Sequence, residues 1–253
     1  MPATDPEPRP LAGTVLFEES DFRALSAAYA GNAEYNAHRL AARRRLLTLG
    51  KGVAREAATL GTQLDCRTSL HHPHTFNGNR VNRLWAYLTR PKKERTKLKR
   101  LLGSDLGKDL DSAYRNAYLC LAIESDALEV SLRIHADAWY DGQNLKKRIE
   151  AEGLQAWFKE LDALGGFRLR LADWKGEWNC GSLTPERLEE FLDYYVPGEH
   201  QLAIEKRYPA PEENRGAALE EAAAPELARE LLRLLGVYRF TVWTEEENFL
   251  FRG

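Results

Sequence analysis

The chain has 253 residues, of which 43% are hydrophobic and 29% charged, and its formal net charge is −2. That is enough apolar material for one large domain or two small ones, and with no run of about 18 apolar residues it offers no membrane-spanning helix. Its three cysteines, Cys66, Cys120 and Cys180, are far apart, form no Cys-x-x-Cys pair and speak against a disulfide framework, so a cytoplasmic location is the expectation.

Residues 1–12, acidic and proline-rich, read as a short disordered lead, and 13–253 as a single α+β domain. Within it, 13–61 form a mainly helical N-terminal layer, 62–208 a sheet-containing core, 209–216 a polar linker loop, and 217–253 a C-terminal helix and strand. Thr14-Val15-Leu16-Phe17 reads as a short strand. A helical region follows over about 20–60, capped by Ser20 or Asp21, with Gly31 and Gly50 as break points. It holds a second basic cluster, His38-Arg39 and Arg43-Arg44-Arg45, read as a solvated helix surface. Leu64, Cys66, Thr68 and Leu70 then alternate with Gln63, Asp65, Arg67 and Ser69, which predicts a strand. His71-His72-Pro73-His74 opens a loop that runs to the turn-forming Asn77-Gly78 and Asn79. Residues 81–89 read as a strand, and Pro91 leads into a helix over 92–102.

Residues 118–124 and 127–135 read as an antiparallel hairpin turning at Ser125-Asp126. Leu128, Val130, Leu132 and Ile134 share its core face; Glu129, Ser131, Arg133 and His135 share the other. Asp141-Gly142 reads as a turn, 145–164 as a helix interrupted near Gly153, and 167–171, where Arg168 and Arg170 alternate with apolar residues, as a strand. Thr184 caps a helix with Pro185 at its first position, running to about 195. Residues 201–208 read as a strand, 217–235 as helical with Pro225 starting or kinking its second part, and 237–243 and 249–251 as strand-like. The fold class is α+β: an antiparallel or mixed sheet with helices packed on one face, preceded by an N-terminal helical layer.

Charge is unevenly spread. Residues 1–66 are neutral, 67–108 carry eleven Lys/Arg against Glu94 and Asp105, and 109–253 carry a surplus of eleven acids. A local excess of +9 favours an anionic partner. Arg67, Arg80, Arg83, Arg90, Lys92, Lys93, Arg95 and Lys97 are the anion-binding candidates. Phe76, Trp85 and Tyr87 are the stacking candidates, and Asn77, Asn79 and Asn82 could pair with base edges. The competing expectation is that the basic segment folds against the acidic half of the chain and is neutralised there.

Signals for catalysis are sparse. His71, His72 and His74 could supply imidazoles, and Glu124 and Glu129 carboxylates, to a metal-dependent nuclease or phosphodiesterase. No His-Glu-x-x-His, phosphate-binding Gly-x-x-x-x-Gly-Lys or dinucleotide-binding Gly-x-Gly-x-x-Gly is present, so no metal and no cofactor is expected. Arg67 and His72 stand at the Arg-x4-His spacing that resembles the motif of small all-helical ribonucleases, the higher eukaryote and prokaryote nucleotide-binding family. The resemblance covers six residues, and it implies a helix where Pro73 and the period-two pattern predict a strand end. The resulting expectation is a nucleic-acid or polyanion-binding protein, DNA or RNA undetermined, rather than an enzyme. It would be a component of a larger bacterial-type assembly in a DNA/RNA transaction or defence system. The alternatives are the nuclease and a protein-interaction subunit that meets a protein partner or a second copy of itself.

Overall fold

The computed structural model describes residues 17–68, 80–172, 176, 178–210 and 223–251. In these residues seven strands form one sheet: β1 (Asp65–Thr68), β2 (Arg83–Thr89), β3 (Ala117–Glu124), β4 (Ala127–Ile134), β5 (Arg168–Leu171), β6 (Trp178–Asn179) and β7 (Leu202–Pro209). The order is β1-β2-β3-β4-β7-β5-β6, and every pairing is antiparallel. The helices are α1 (Glu19–Arg23), α2 (Asn36–Thr59), α3 (Lys92–Leu106), α4 (Trp139–Glu152), α5 (Leu154–Asp162), α6 (Pro185–Tyr194), α7 (Ala223–Arg233) and α8 (Leu235–Thr241). The architecture is α+β.

The register sorts the two faces of the sheet. Leu119, Leu121 and Ile123 of β3 stand opposite Leu132, Val130 and Leu128 of β4. Leu84, Ala86 and Leu88 of β2 extend the row on one side, and Ile204, Leu202, Leu169 and Leu171 on the other. All are buried, and all join one core with Leu46, Leu145, Trp157, Phe191, Leu231 and Val237 from α2 and α4 to α8. Successive strand residues point to opposite faces, so the residues between these form a second, polar face that contributes nothing to that core.

Local chemistry explains most elements. Thr184 Oγ1 accepts from the Arg187 N–H, and Pro185 opens α6. Gly153, at φ 89°, separates α4 from α5 in a conformation that glycine adopts without strain. The N-terminal layer is fixed by Arg39, fully buried on α2. Its guanidinium donates to the carbonyls of Ala24, Tyr29 and Asn32 and to Asn36 Oδ1. Arg45 pairs with Asp21 of α1. Neither arginine belongs to a solvated basic surface, as the sequence pattern had implied.

Other expectations shift as well. Helix α2 runs unbroken through Gly50, because that glycine lies against the sheet: a Cβ there would stand 2.7 Å from Cys66 Sγ and 3.5 Å from the Ala86 methyl. Helix α3 continues past residue 102 to Leu106, kinking at Gly103. Asp141-Gly142 is no turn but lies inside α4, with Asp141 fully buried. Residues 237–241 are helical, in α8, where Val237, Tyr238 and Phe240 are buried against helices and strands; their β-branched and aromatic character reflects burial. Residues 249–251 form no strand; Asn144 Oδ1 instead accepts from the N–H groups of Phe249 and Leu250 at 2.9 and 3.2 Å. Phe17 is buried outside any strand, while 1–16 and most of the expected linker, 211–216, lie outside the described residues. The two-residue β6 carries too little pattern to be read from sequence.

Candidate anion-binding site on the polar face of the sheet

Cross-strand register decides which side chains of the polar face meet. One row runs Arg67, Tyr87, Cys120, Ser131, Glu205, Arg168 across six strands. Two residues along each strand in one direction, Arg133 of β4 and Arg170 of β5 both stand opposite Ala203 of β7. In the other direction, Glu129 stands between Ala122 and Arg207, and Arg83 opposite Glu124. Residues far apart in sequence thereby form one arginine–glutamate lattice.

Two buried carboxylates organise it. Glu129 Oε1 accepts from Ser131 Oγ at 2.6 Å, Arg133 Nε at 2.8 Å and Arg83 Nη2 at 3.2 Å. Its Oε2 lies 3.1 Å from Arg83 Nη2, within ion-pair range though outside hydrogen-bond alignment. Burial pushes the Glu129 carboxyl up, but Arg133 and Arg83 outweigh it and hold the group below the usual carboxylate range. Glu205, 5% exposed, takes Arg133 Nη2 at 2.9 Å and Arg170 Nη1 at 2.6 Å, one on each oxygen. Arg207 Nη2 reaches Glu124 Oε2 at 2.8 Å and Asp126, and Arg83 also pairs with Glu124. Beneath the lattice, burial and the neighbouring Glu129 raise the Cys120 thiol to about 11, so it stays protonated.

The lattice is not flat. The Ala203 methyl is a low floor between two long arginines, and a cavity of about 170 Å³ opens above it. Tyr118, Arg133, His135, Arg170, Glu205 and Arg207 are among its lining. Three guanidinium groups against one carboxylate give this lining a formal charge of +2. His135 Nδ1 accepts the Asp137 N–H at 3.1 Å, which leaves the ring proton of the neutral imidazole on Nε2. A larger cavity, about 400 Å³, lies where the start of α3 meets residues 61–63 and 244–247. Its lining sets Arg90, Lys93, Lys97 and Arg239 against Glu94, Glu245, Glu246 and Glu247, a balance of zero. Counted over lining residues alone, the sheet cavity is the more positive of the two; Glu129, Glu124 and Asp126 lie just outside that lining and pair with its arginines.

The residues singled out by the sequence divide three ways. Arg83 belongs to the lattice. Arg67 sits on β1 and meets Asp111, its Nη1 donating to the Asp111 carbonyl at 3.1 Å; Arg80 is exposed and donates to the Ala27 carbonyl. Lys92 and Lys93 are exposed on α3, and Lys97 pairs with Glu94 and Glu245. Arg90 and Arg95 need correction: they are 1% and 4% exposed and serve the interior. Arg90 pairs with Asp141 and donates to the Trp243 carbonyl at 2.9 Å. Arg95 pairs with Asp65 and Asp111 and donates to the Arg90 carbonyl. In these pairs the basic segment is neutralised largely by carboxylates from beyond residue 108.

Trp85 and Tyr87 lie on the polar face. Trp85 is half-buried, and Tyr87 is buried with its ring 6.1 Å from Tyr118, edge to face. Glu124 and Glu129 do come together, but around arginines. Among the described residues no group of three or more His, Cys, Asp or Glu is placed to hold a metal ion. His71, His72, His74, Phe76, Asn77 and Asn79 lie outside the described residues. Arg67 stands on a strand of an antiparallel sheet, so the all-helical fold implied by the ribonuclease-like spacing is not this one.

Arg133, Arg170, Arg207, Glu205 and the small Ala203 were not picked out as a site from sequence. The signal was present as three separate alternations, at 129–133, 168–170 and 203–207, each putting its polar residues on one face; only the strand order joins them. No family model matches the chain, and no curated protein is significantly similar to it. Among the described residues no helix is long and apolar enough to cross a membrane.

Proposed function

We propose that the protein binds nucleic acid, or a polyanion like it, across the polar face of its sheet. The observation that carries this reading is the cavity over Ala203, with its +2 lining of Arg133, Arg170 and Arg207 around Glu205. Guanidinium groups suit phosphate oxygens because their planar donors can bind in pairs. Glu129 and Glu205 pair with Arg133 and Arg170, and Glu124 with Arg207, which lowers the entropy lost on binding. The half-buried rings of Trp85 and Tyr118, on the same face, supply apolar surface against which unpaired bases can stack. Exposed Lys92 and Lys93 add positive charge on α3, outside the lattice.

The test is fluorescence polarisation with labelled single-stranded DNA and RNA at 50 and 200 mM salt. Three phosphate contacts predict a loss of about 20-fold in affinity between the two salt concentrations. Arg170→Ala/Arg207→Ala should weaken binding by about tenfold or more at 50 mM, with an unchanged circular dichroism spectrum. No binding at 50 mM, or full binding by the double variant, overturns the reading.

A further inference from the structure

We infer that the cavity over Ala203 is a pocket for a terminal phosphate, a phosphomonoester, so that the ligand is anchored by its end as well as along its backbone. This rests on the polyanion reading above and narrows it.

Charge makes the first argument. A backbone phosphodiester carries one negative charge, whereas a monoester carries up to two near neutral pH. The pocket lining sums to +2, from Arg133, Arg170 and Arg207 against Glu205. Glu129, Glu124 and Asp126, just outside the lining, also pair with Arg133 and Arg207, so the surplus is local to the lining, and the doubly charged monoester is drawn to it more strongly than a diester.

Donor supply makes the second. Arg133 spends Nε on Glu129 and Ser131 and Nη2 on Glu205. Among the described residues Arg170 spends only Nη1, also on Glu205. Among the described residues nothing accepts a hydrogen bond from Arg133 Nη1, or from Arg170 Nε and Nη2. His135 adds its Nε2–H, because Nδ1 is held as an acceptor by the Asp137 N–H. A monoester presents three terminal oxygens to such donors, one more than a diester.

Shape makes the third. The cavity lies where β4 ends at Ile134, β5 ends at Leu171 and β7 begins at Leu202. Ala172 and Gln201 are part of its lining there and are joined through the Ala172 N–H and the Gln201 carbonyl at 3.0 Å. A chain laid along the polar face from Arg207 meets this wall. A volume of about 170 Å³ accepts a tetrahedral oxyanion.

The experiment compares unlabelled ten-nucleotide single-stranded DNAs of one sequence as competitors against a labelled oligonucleotide on the full chain. One carries a 5′-phosphate, one a 3′-phosphate, and one hydroxyls at both ends. The expected result is that one phosphorylated end binds at least tenfold tighter than the hydroxyl-ended strand. Inorganic phosphate should remove that gain. Ala203→Leu fills the floor without touching a charge, and should abolish the difference between the phosphorylated and hydroxyl-ended strands. Arg170→Ala, at the exposed edge of the pocket, should also abolish it and guards against Ala203→Leu failing to fold. Equal affinities for all three strands overturn the terminal-phosphate inference and leave the nucleic-acid reading standing. A gain that survives both variants overturns it too, since the phosphate then binds elsewhere. Absence of binding by every strand removes both.

Discussion

The amino-terminal end of α3 and the polar face of the sheet are both built on arginine, and they use it in opposite ways. Around α3, Arg90 and Arg95 are buried and turned inward, each meeting carboxylates and a backbone carbonyl. On the sheet, Arg133, Arg170 and Arg207 share carboxylates with one another and remain a quarter to two-fifths exposed. The first arrangement holds chain segments together in the interior, and its spare donors, Arg90 Nε and Arg95 Nη2, are buried. The second fixes one side of each guanidinium and leaves the other available. What separates a strut from an outward-facing cation is whether its remaining donors are buried or reach solvent, and the local density of charge in the sequence does not report that.

The sharpest way to break this contrast is Asp141→Ala. It strands Arg90 as an unpaired buried charge and removes the acceptor for the N–H groups of Ala117 and Trp243. The expected loss is about 3–5 kcal/mol in urea unfolding. A loss below about 1 kcal/mol would show that Arg90 is not the strut described.

A smaller, pH-dependent effect is expected at Glu129. Its carboxyl is depressed in the folded protein by Arg133 and Arg83, against the opposing effect of burial. A depressed carboxylate contributes stability above its unfolded pKa and loses it as pH falls through the folded value. Glu129→Gln should therefore be less stable than the parent at pH 7, by about 2–3 kcal/mol, and the gap should narrow as pH drops below about 4. A gap independent of pH would place the effect in packing instead.

The smallest effect belongs to Lys92→Ala/Lys93→Ala. Both lysines are exposed, so stability should change by no more than about 0.5 kcal/mol. Oligonucleotide affinity should fall by less than in Arg170→Ala/Arg207→Ala. The reverse ranking would move the anion-binding surface to α3.

Much of the fold was legible because strand alternation is strong here. The hairpin of β3 and β4, its two faces, β5 and β7 follow from it, and the start of α6 follows from Thr184 and Pro185. Gly50, Asp141 and residues 237–241 misled for one shared reason: each takes its role from a tertiary contact. Gly50 admits the sheet, Asp141 receives Arg90, and 237–241 are apolar because they are buried. The site was harder. The +9 segment drew attention to Arg90 and Arg95, whose partners Asp141 and Asp111 lie outside it. The lattice instead draws on five strands, β2, β3, β4, β5 and β7, of which only β2 lies in that segment.

The two edges of the sheet carry a last consequence. Among the described residues β1 has four residues and β6 only two, whereas the inner β3, β4 and β7 have eight each. Short edge strands offer little unpaired backbone for another chain to extend. A solution of this protein should accordingly resist growing into strand-linked fibres at high concentration.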